Sequence, residues 1–293
     1  MENQPIKTLS QPVPKRALIL LTSHRSGSTW LSDAIRCHPA IEYYHTAVLY
    51  EALGIEGRRY PGDLSNQTDG VYEIEVQPGK WDKIPQFNLW DDLTPQLRSL
   101  EFEQYGIEKC HPCFFEFDPK LFLQGIQQLE ELGTEVKLVY LVRDPKSLMT
   151  SFMNYQQRKP SWYKSIVGEA LPQFIQQTYD CIAQVAAQRP GVILDYSNSR
   201  TDLAYTLVDI YLELWLNLSE LQEELILQVS ELAGKYTNRQ KRLAATDSPF
   251  LGKVEGTIEG GSQDYAEFFK EHQVWVEKCY ESYRKALGIK AID

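Results

Sequence analysis

The sequence predicts an α/β fold, a single domain with a central parallel sheet flanked by helices. Three observations lead there. Short continuous apolar runs occur at 17–22 (ALILLT), 136–142 (VKLVYLV) and 191–196 (GVILDY), as in strands buried on both faces. Segments of helical periodicity separate these runs, and strands alternating with helices favour parallel pairing. The chain has 293 residues, 43% hydrophobic and 12% aromatic, enough to bury a sizeable core.

In chain order, residues 1–15 carry three prolines and read as an extended arm ahead of a domain over 16–293. The first strand, 17–22, runs into a polar turn and a helix over 28–37, with Trp30, Leu31, Ala34 and Ile35 at helical spacing. His38-Pro39 ends that helix. From 54 to 100 the pattern breaks into Pro, Gly and aromatic residues (Tyr60, Trp81, Phe87, Trp90), a long insertion of the kind that often carries function. A helix over 119–132 stops at Gly133 and precedes the strand 136–142. Arg143-Asp144-Pro145 opens the next helix, with Asp144 as N-cap and Pro145 in the first turn. Beyond the strand 191–196, Leu207, Ile210, Leu214, Leu218, Leu221 and Leu225 form one stripe of a long helix that stops near Gly234. Core packing is preferred for this stripe over a homodimer seam.

Composition excludes several classes. A net charge of -10 argues against broad nucleic-acid binding. No window offers the roughly 20 apolar residues of a bilayer span, and MENQPIKTLSQPVPKR lacks the apolar region of a secretory signal. The five scattered cysteines, Cys37, Cys110, Cys113, Cys181 and Cys279, fit free thiols in a reducing, cytoplasmic setting. Cys110 and Cys113 have C-x-x-C spacing but no second Cys/His cluster, so no metal is expected.

The turn after the first strand, Arg25-Ser26-Gly27-Ser28-Thr29-Trp30, is suited to an anion. Gly27 permits close backbone approach, Ser26, Ser28 and Thr29 add hydroxyls, Arg25 adds charge, and the helix N-terminus presents amides. No Gly-x-x-x-x-Gly-Lys-[Ser/Thr] occurs, which counts against the alternative of a P-loop kinase-like phosphotransferase. A non-catalytic nucleotide-binding module is the other alternative.

Arg25-Ser26-Gly27-Ser28-Thr29-Trp30-Leu31 resembles the 5′-phosphosulfate loop of the sulfotransferases that use 3′-phosphoadenosine 5′-phosphosulfate (PAPS). The stretch LVYLVRDPKSLMTSF resembles their 3′-phosphate site, with Arg143 and, eight residues on, Ser151. This resemblance implies a P-loop-NTPase-like sulfotransferase architecture and transfer of a sulfuryl group from PAPS to a hydroxyl. On it, Arg25, Ser26, Gly27, Ser28, Thr29, Trp30, Arg143 and Ser151 bind the donor, with Trp30 open between stacking on adenine and packing in the core.

Lys109-Cys110-His111-Pro112 is similar to the family's Lys-[Thr/Ser]-His-x-Pro. His111 is then the base and Lys109, with Arg25, offsets charge on the leaving oxygen. His45 and Glu51 are reserve bases, and His24 and His38 are read as structural. Near the C-terminus, Gly260, Asp264-Tyr265 and Phe268 or Phe269 imitate the family's nucleotide-closing segment. Ile258 and Glu259 stand where it has Arg and Lys, which leaves Lys253, Arg239, Lys241 and Arg242 as substitutes. The insertion 54–100 and the aromatics Phe152, Tyr155, Trp162 and Tyr163 are candidate walls for a small or lipid-like hydroxyl acceptor; core packing is the competing reading.

Overall fold

A computed structural model describes residues 15–43, 65–68, 71–77, 80–85, 93–112, 117–158, 170–243 and 265–288. Its centre is a five-stranded sheet built from β1 (Arg16–Thr22), β2 (Ile41–Tyr43), β6 (Tyr105–Cys110), β7 (Glu135–Val142) and β8 (Val192–Asp195), in the order β2-β6-β1-β7-β8. Every neighbouring pair is parallel. The expected α/β class is therefore observed. The insertion contains a separate antiparallel meander of β3 (Ser65–Thr68), β4 (Val71–Gln77) and β5 (Lys80–Pro85), which has no counterpart in the sequence reading.

Alternation along β1 builds two cores. Leu18 and Leu20 face one side with Ile107, Val139 and Leu141, under α1 (Ser28–Ile35), α7 (Leu203–Leu214) and α8 (Glu220–Leu243). Ile19 and Leu21 face the other with Leu138, Tyr140 and Val142, under α3 (Pro119–Glu131), α4 (Pro145–Arg158), α5 (Leu171–Gln188) and α10 (Gln273–Ala286). A strand covered on both faces cannot alternate polar and apolar residues, which is why its sequence is a continuous apolar run. The short helices α2 (Pro95–Arg98), α6 (Tyr196–Thr201) and α9 (Ala266–Glu271) complete the described elements.

The leucine stripe sits on two helices rather than one. The break spans 215–219: Trp215 leaves helical geometry, its indole N–H donates to Glu103 O at 3.0 Å, and Asn217 takes a φ of 59°. Ser219 and Gln222 then form a capping box. The Ser219 amide donates to Gln222 Oε1 at 3.0 Å and the Gln222 amide to Ser219 Oγ at 3.4 Å, so α8 starts afresh. It runs past Gly234 to Leu243. Leu207, Ile210, Leu214 and Leu225 are buried in the chain's own core, with Leu218 and Leu221 partly buried against it, as the packing reading requires.

Candidate active site

Register brings the carboxyl ends of four strands to one edge of the sheet. Leu21 lies beside Cys110, Thr22 beside Leu141 and Val142 beside Asp195. The turns that follow therefore gather there: 23–27 after β1, His111 after β6, Arg143-Asp144 after β7 and Tyr196 after β8. From β1 the chain runs to β2 on one side and from β7 to β8 on the other, and such switch points in parallel sheets form ligand crevices.

The β1–α1 turn is tightly folded. Arg25 (φ 65°) and Gly27 (φ 93°) both adopt left-handed backbone, unusual for arginine and costing on the order of 1 kcal/mol. Thr22 Oγ1 donates to Leu141 O at 2.9 Å and touches the Ser26 hydroxyl, which donates to Ser23 O at 2.6 Å. The Ser26 amide turns to the same carbonyl at 3.4 Å. Ser26 thus shapes the loop from inside, its hydroxyl turned to the loop's own carbonyl. Gly27 is the N-cap of α1 and carries no capping side chain, so the first-turn amides of Ser28, Thr29 and Trp30 have no intrahelical partner. A Cβ on Gly27 would sit 2.2 Å from Tyr196 Cε2, so glycine is required there by space as well as by φ. The Thr29 side chain lies outside the described residues.

Arg143 enters from the end of β7. Its Nη1 donates to Arg25 O at 2.9 Å and its guanidinium lies 4.7 Å from the centre of the Tyr196 ring. Among the described residues no carboxylate pairs with it, and its Nε is buried with no hydrogen-bond partner, as is Ser23 Oγ. Burial presses the guanidinium below its usual pKa, with Arg200 adding in the same direction; arginine stays charged regardless. A half-buried cation with a buried, unfilled Nε donor fits an anionic ligand. Ser151, buried on α4, accepts from Arg25 Nε at 3.4 Å. Arg25 and Ser151, assigned from sequence to opposite ends of a ligand, are thus directly linked. Trp30 is half-buried against the core and meets Tyr196 edge-on, ring centres 5.9 Å apart.

His111 Nδ1 donates to Thr22 O at 3.1 Å, a bond that makes Nε2 the proton-accepting nitrogen. Burial lowers its pKa to about 4, with Lys109 adding to the effect. His24, read from sequence as structural, packs its ring edge-on against His111 at 5.5 Å and faces Phe152 at 6.2 Å. Burial, then His111, Arg25 and Lys109, hold its pKa well below the usual value. The reading as structural does hold for His38, which is fully buried among Trp215, Phe102 and Tyr211 and accepts from the Ala40 amide at 3.2 Å.

His24, read from sequence as structural, packs on His111 at the strand ends, and Tyr196 had no role in the sequence reading. A tyrosine directly after an apolar strand was the only signal for Tyr196. Phe152 is fully buried against Phe174, so the core reading holds for it and not the acceptor wall. Tyr265 donates to Asn154 Oδ1 at 2.8 Å, tying the C-terminal segment to α4 three residues beyond Ser151. Gly260, Asp264, His45, Glu51, Lys253, Cys113, Trp162 and Tyr163 lie outside the described residues, as do the side chains of Tyr155, Arg239, Lys241 and Arg242. No helix among the described residues is long and apolar enough to cross a membrane.

A family profile described as "Sulfotransferase family" matches residues 18–218, more than half the chain and all the strand ends just described. Among solved structures, mouse sulfotransferase SULT7A1 complexed with PAP is similar, with 15% identity, a TM-score of 0.48, and coverage of 92% of this chain and 84% of that one. No curated protein matches the sequence.

Proposed function

The chain belongs to the sulfotransferase family, and from that premise we propose that it transfers a sulfuryl group from PAPS to the hydroxyl of a small or lipid-like acceptor. The observation that carries this reading is the Arg143 Nη1–Arg25 O contact of 2.9 Å. It joins two anion-binding segments 118 residues apart in sequence across adjacent strand ends. A donor with anionic groups at both ends of a nucleoside suits such a paired site.

In this reading the uncapped first turn of α1, with Gly27, Ser28 and Thr29, receives the 5′-phosphosulfate. Arg143, through its unfilled Nε, and Ser151 receive the 3′-phosphate. Trp30 and Tyr196 flank the space between, and Gly260 joins the donor site from the C-terminal segment. His111 Nε2 takes the proton of the acceptor hydroxyl as its oxygen attacks sulfur and the bond to the phosphate oxygen breaks. Lys109 and Arg25 face the negative charge that grows on that leaving oxygen. The work is positioning and charge stabilisation, as in phosphoryl transfer. The free thiols at Cys181 and Cys279 among the described residues support a reducing, cytoplasmic setting.

Calorimetric titration with adenosine 3′,5′-bisphosphate, with ATP as control, tests the donor. Saturable binding of the bisphosphate with none of ATP is expected. Tight ATP binding without a response to the bisphosphate would overturn the proposal. Labelled donor offered to panels of hydroxyl acceptors then identifies the acceptor class.

A further inference from the structure

The C-terminal helix α10 lies behind the strand ends, and two of its tyrosines reach the same kind of target. Tyr280 donates to Asp144 Oδ2 at 2.6 Å, and Tyr283 donates to Asp195 Oδ2. Each aspartate uses its other oxygen to cap a helix. Asp144 Oδ1 accepts from the Ser147 amide at 2.8 Å, and Asp195 Oδ1 accepts from the amides of Ser197 and Asn198 at 2.9 and 3.2 Å. Those helices, α4 and α6, carry Ser151 and Tyr196. A third phenol, Tyr179 on α5, donates to Arg143 O and packs its ring 5.7 Å from that of Tyr283. Tyr280 and Tyr283, three residues apart, share one face of α10.

We propose that Tyr280 and Tyr283 are positioning residues of the donor site: they fix Asp144 and Asp195, and through them the helix starts that present Ser151, Arg143 and Tyr196. The inference rests on the donor reading given above. An apolar side chain would fill the same space, so packing alone does not call for two phenol–carboxylate bonds at adjacent strand ends. Burial, reinforced by the neighbouring carboxylates, raises both phenol pKa values, so both remain donors through the neutral range. A carboxylate that accepts from a fixed phenol keeps its capping oxygen in place, and the helix start keeps its direction.

Tyr280→Phe and Tyr283→Phe, singly and together in the full chain, test this with two independent readouts. Hydrogen exchange is expected to accelerate several-fold at the amides of 146–148 in the first variant and 197–199 in the second, with the rest of α10 unchanged. Affinity for adenosine 3′,5′-bisphosphate should fall about three- to tenfold in each, appearing as a raised donor KM at unchanged kcat. Unchanged local exchange and unchanged affinity would overturn the proposal, as would a fall in kcat at constant KM. If the unmodified protein fails to bind the bisphosphate, the donor reading itself fails and a positioning role for donor fails with it. The exchange comparison still shows whether the tyrosines hold the helix starts.

Discussion

Three strand-to-helix junctions share one edge of the sheet and are finished differently. After β7 and β8 the helix begins under an aspartate that satisfies its first amides, and that aspartate is itself held by a tyrosine. After β1 the cap is Gly27, in left-handed backbone and without a capping bond. At the filled junctions the partial positive charge is already answered by a carboxylate. At the bare one no side chain answers the first amides and the dipole, as the proposed anion site requires. Glycine at a helix start is thus informative chiefly when its neighbours in space show what the ordinary finish would be.

The largest expected effect comes from the fourth strand end, where β6 gives way to His111. His111→Ala should leave bisphosphate affinity unchanged and lower kcat by about 10²–10⁴-fold. As the proposed base, His111 works only when neutral, so kcat/KM of the unmodified protein should fall as pH drops through about 4, not through the ordinary histidine value near 6.5. A limb near 6.5 in the pH–rate profile would contradict the buried imidazole. The fold responds in the same pH range. His38, lowered by burial to about 3, and His111 bind protons later than the unfolded chain does, so stability should decline as pH falls below about 6.5.

Gly27→Asp gives the bare junction the finish of its neighbours. It also puts a Cβ into the Tyr196 ring. Bisphosphate affinity should fall by 100-fold or more, about 2.8 kcal/mol, while circular dichroism reports a folded chain. Retained binding would mean that the α1 N-terminus is not the anion site. Arg143→Lys keeps the charge but loses the fork, and calorimetry should show a loss of roughly tenfold, about 1.4 kcal/mol. The smallest effect belongs to a filled junction. Asp144→Ala removes a cap and should lower stability by about 1 kcal/mol in urea titration, with a weaker loss of donor affinity than Gly27→Asp or Arg143→Lys.

Legibility in the sequence followed the range of the interaction. β1 and the buried end of β7 were readable because strands covered on both faces are apolar, and β8, an edge strand with Ile193 exposed, was readable from its short apolar run. β6, with Glu108 and Lys109 beside buried Tyr105 and Ile107, has no such run and was passed over although it delivers His111. The leucine stripe was read correctly as core yet joined across a break, because helical spacing persists through 215–219 while the Ser219–Gln222 box restarts the helix. Asp144 was recognisable as a cap from its place before Pro145. Its tie to Tyr280, from the far end of the chain, was not.

The sequence by itself determined the strand–turn–helix units, the glycine at the head of α1, and the side chains available to an anion and a proton. Those follow from periodicity, capping and turn preference, which act over a few residues. Only the tertiary structure decided that Arg143 meets Arg25, that Ser26 turns inward, that Thr22 O selects the His111 tautomer, and that His24 stands beside it. Parallel strands pair across long stretches of chain, and their order and register are set by two cores that must pack at once. No local pattern could settle which strand ends would share an edge.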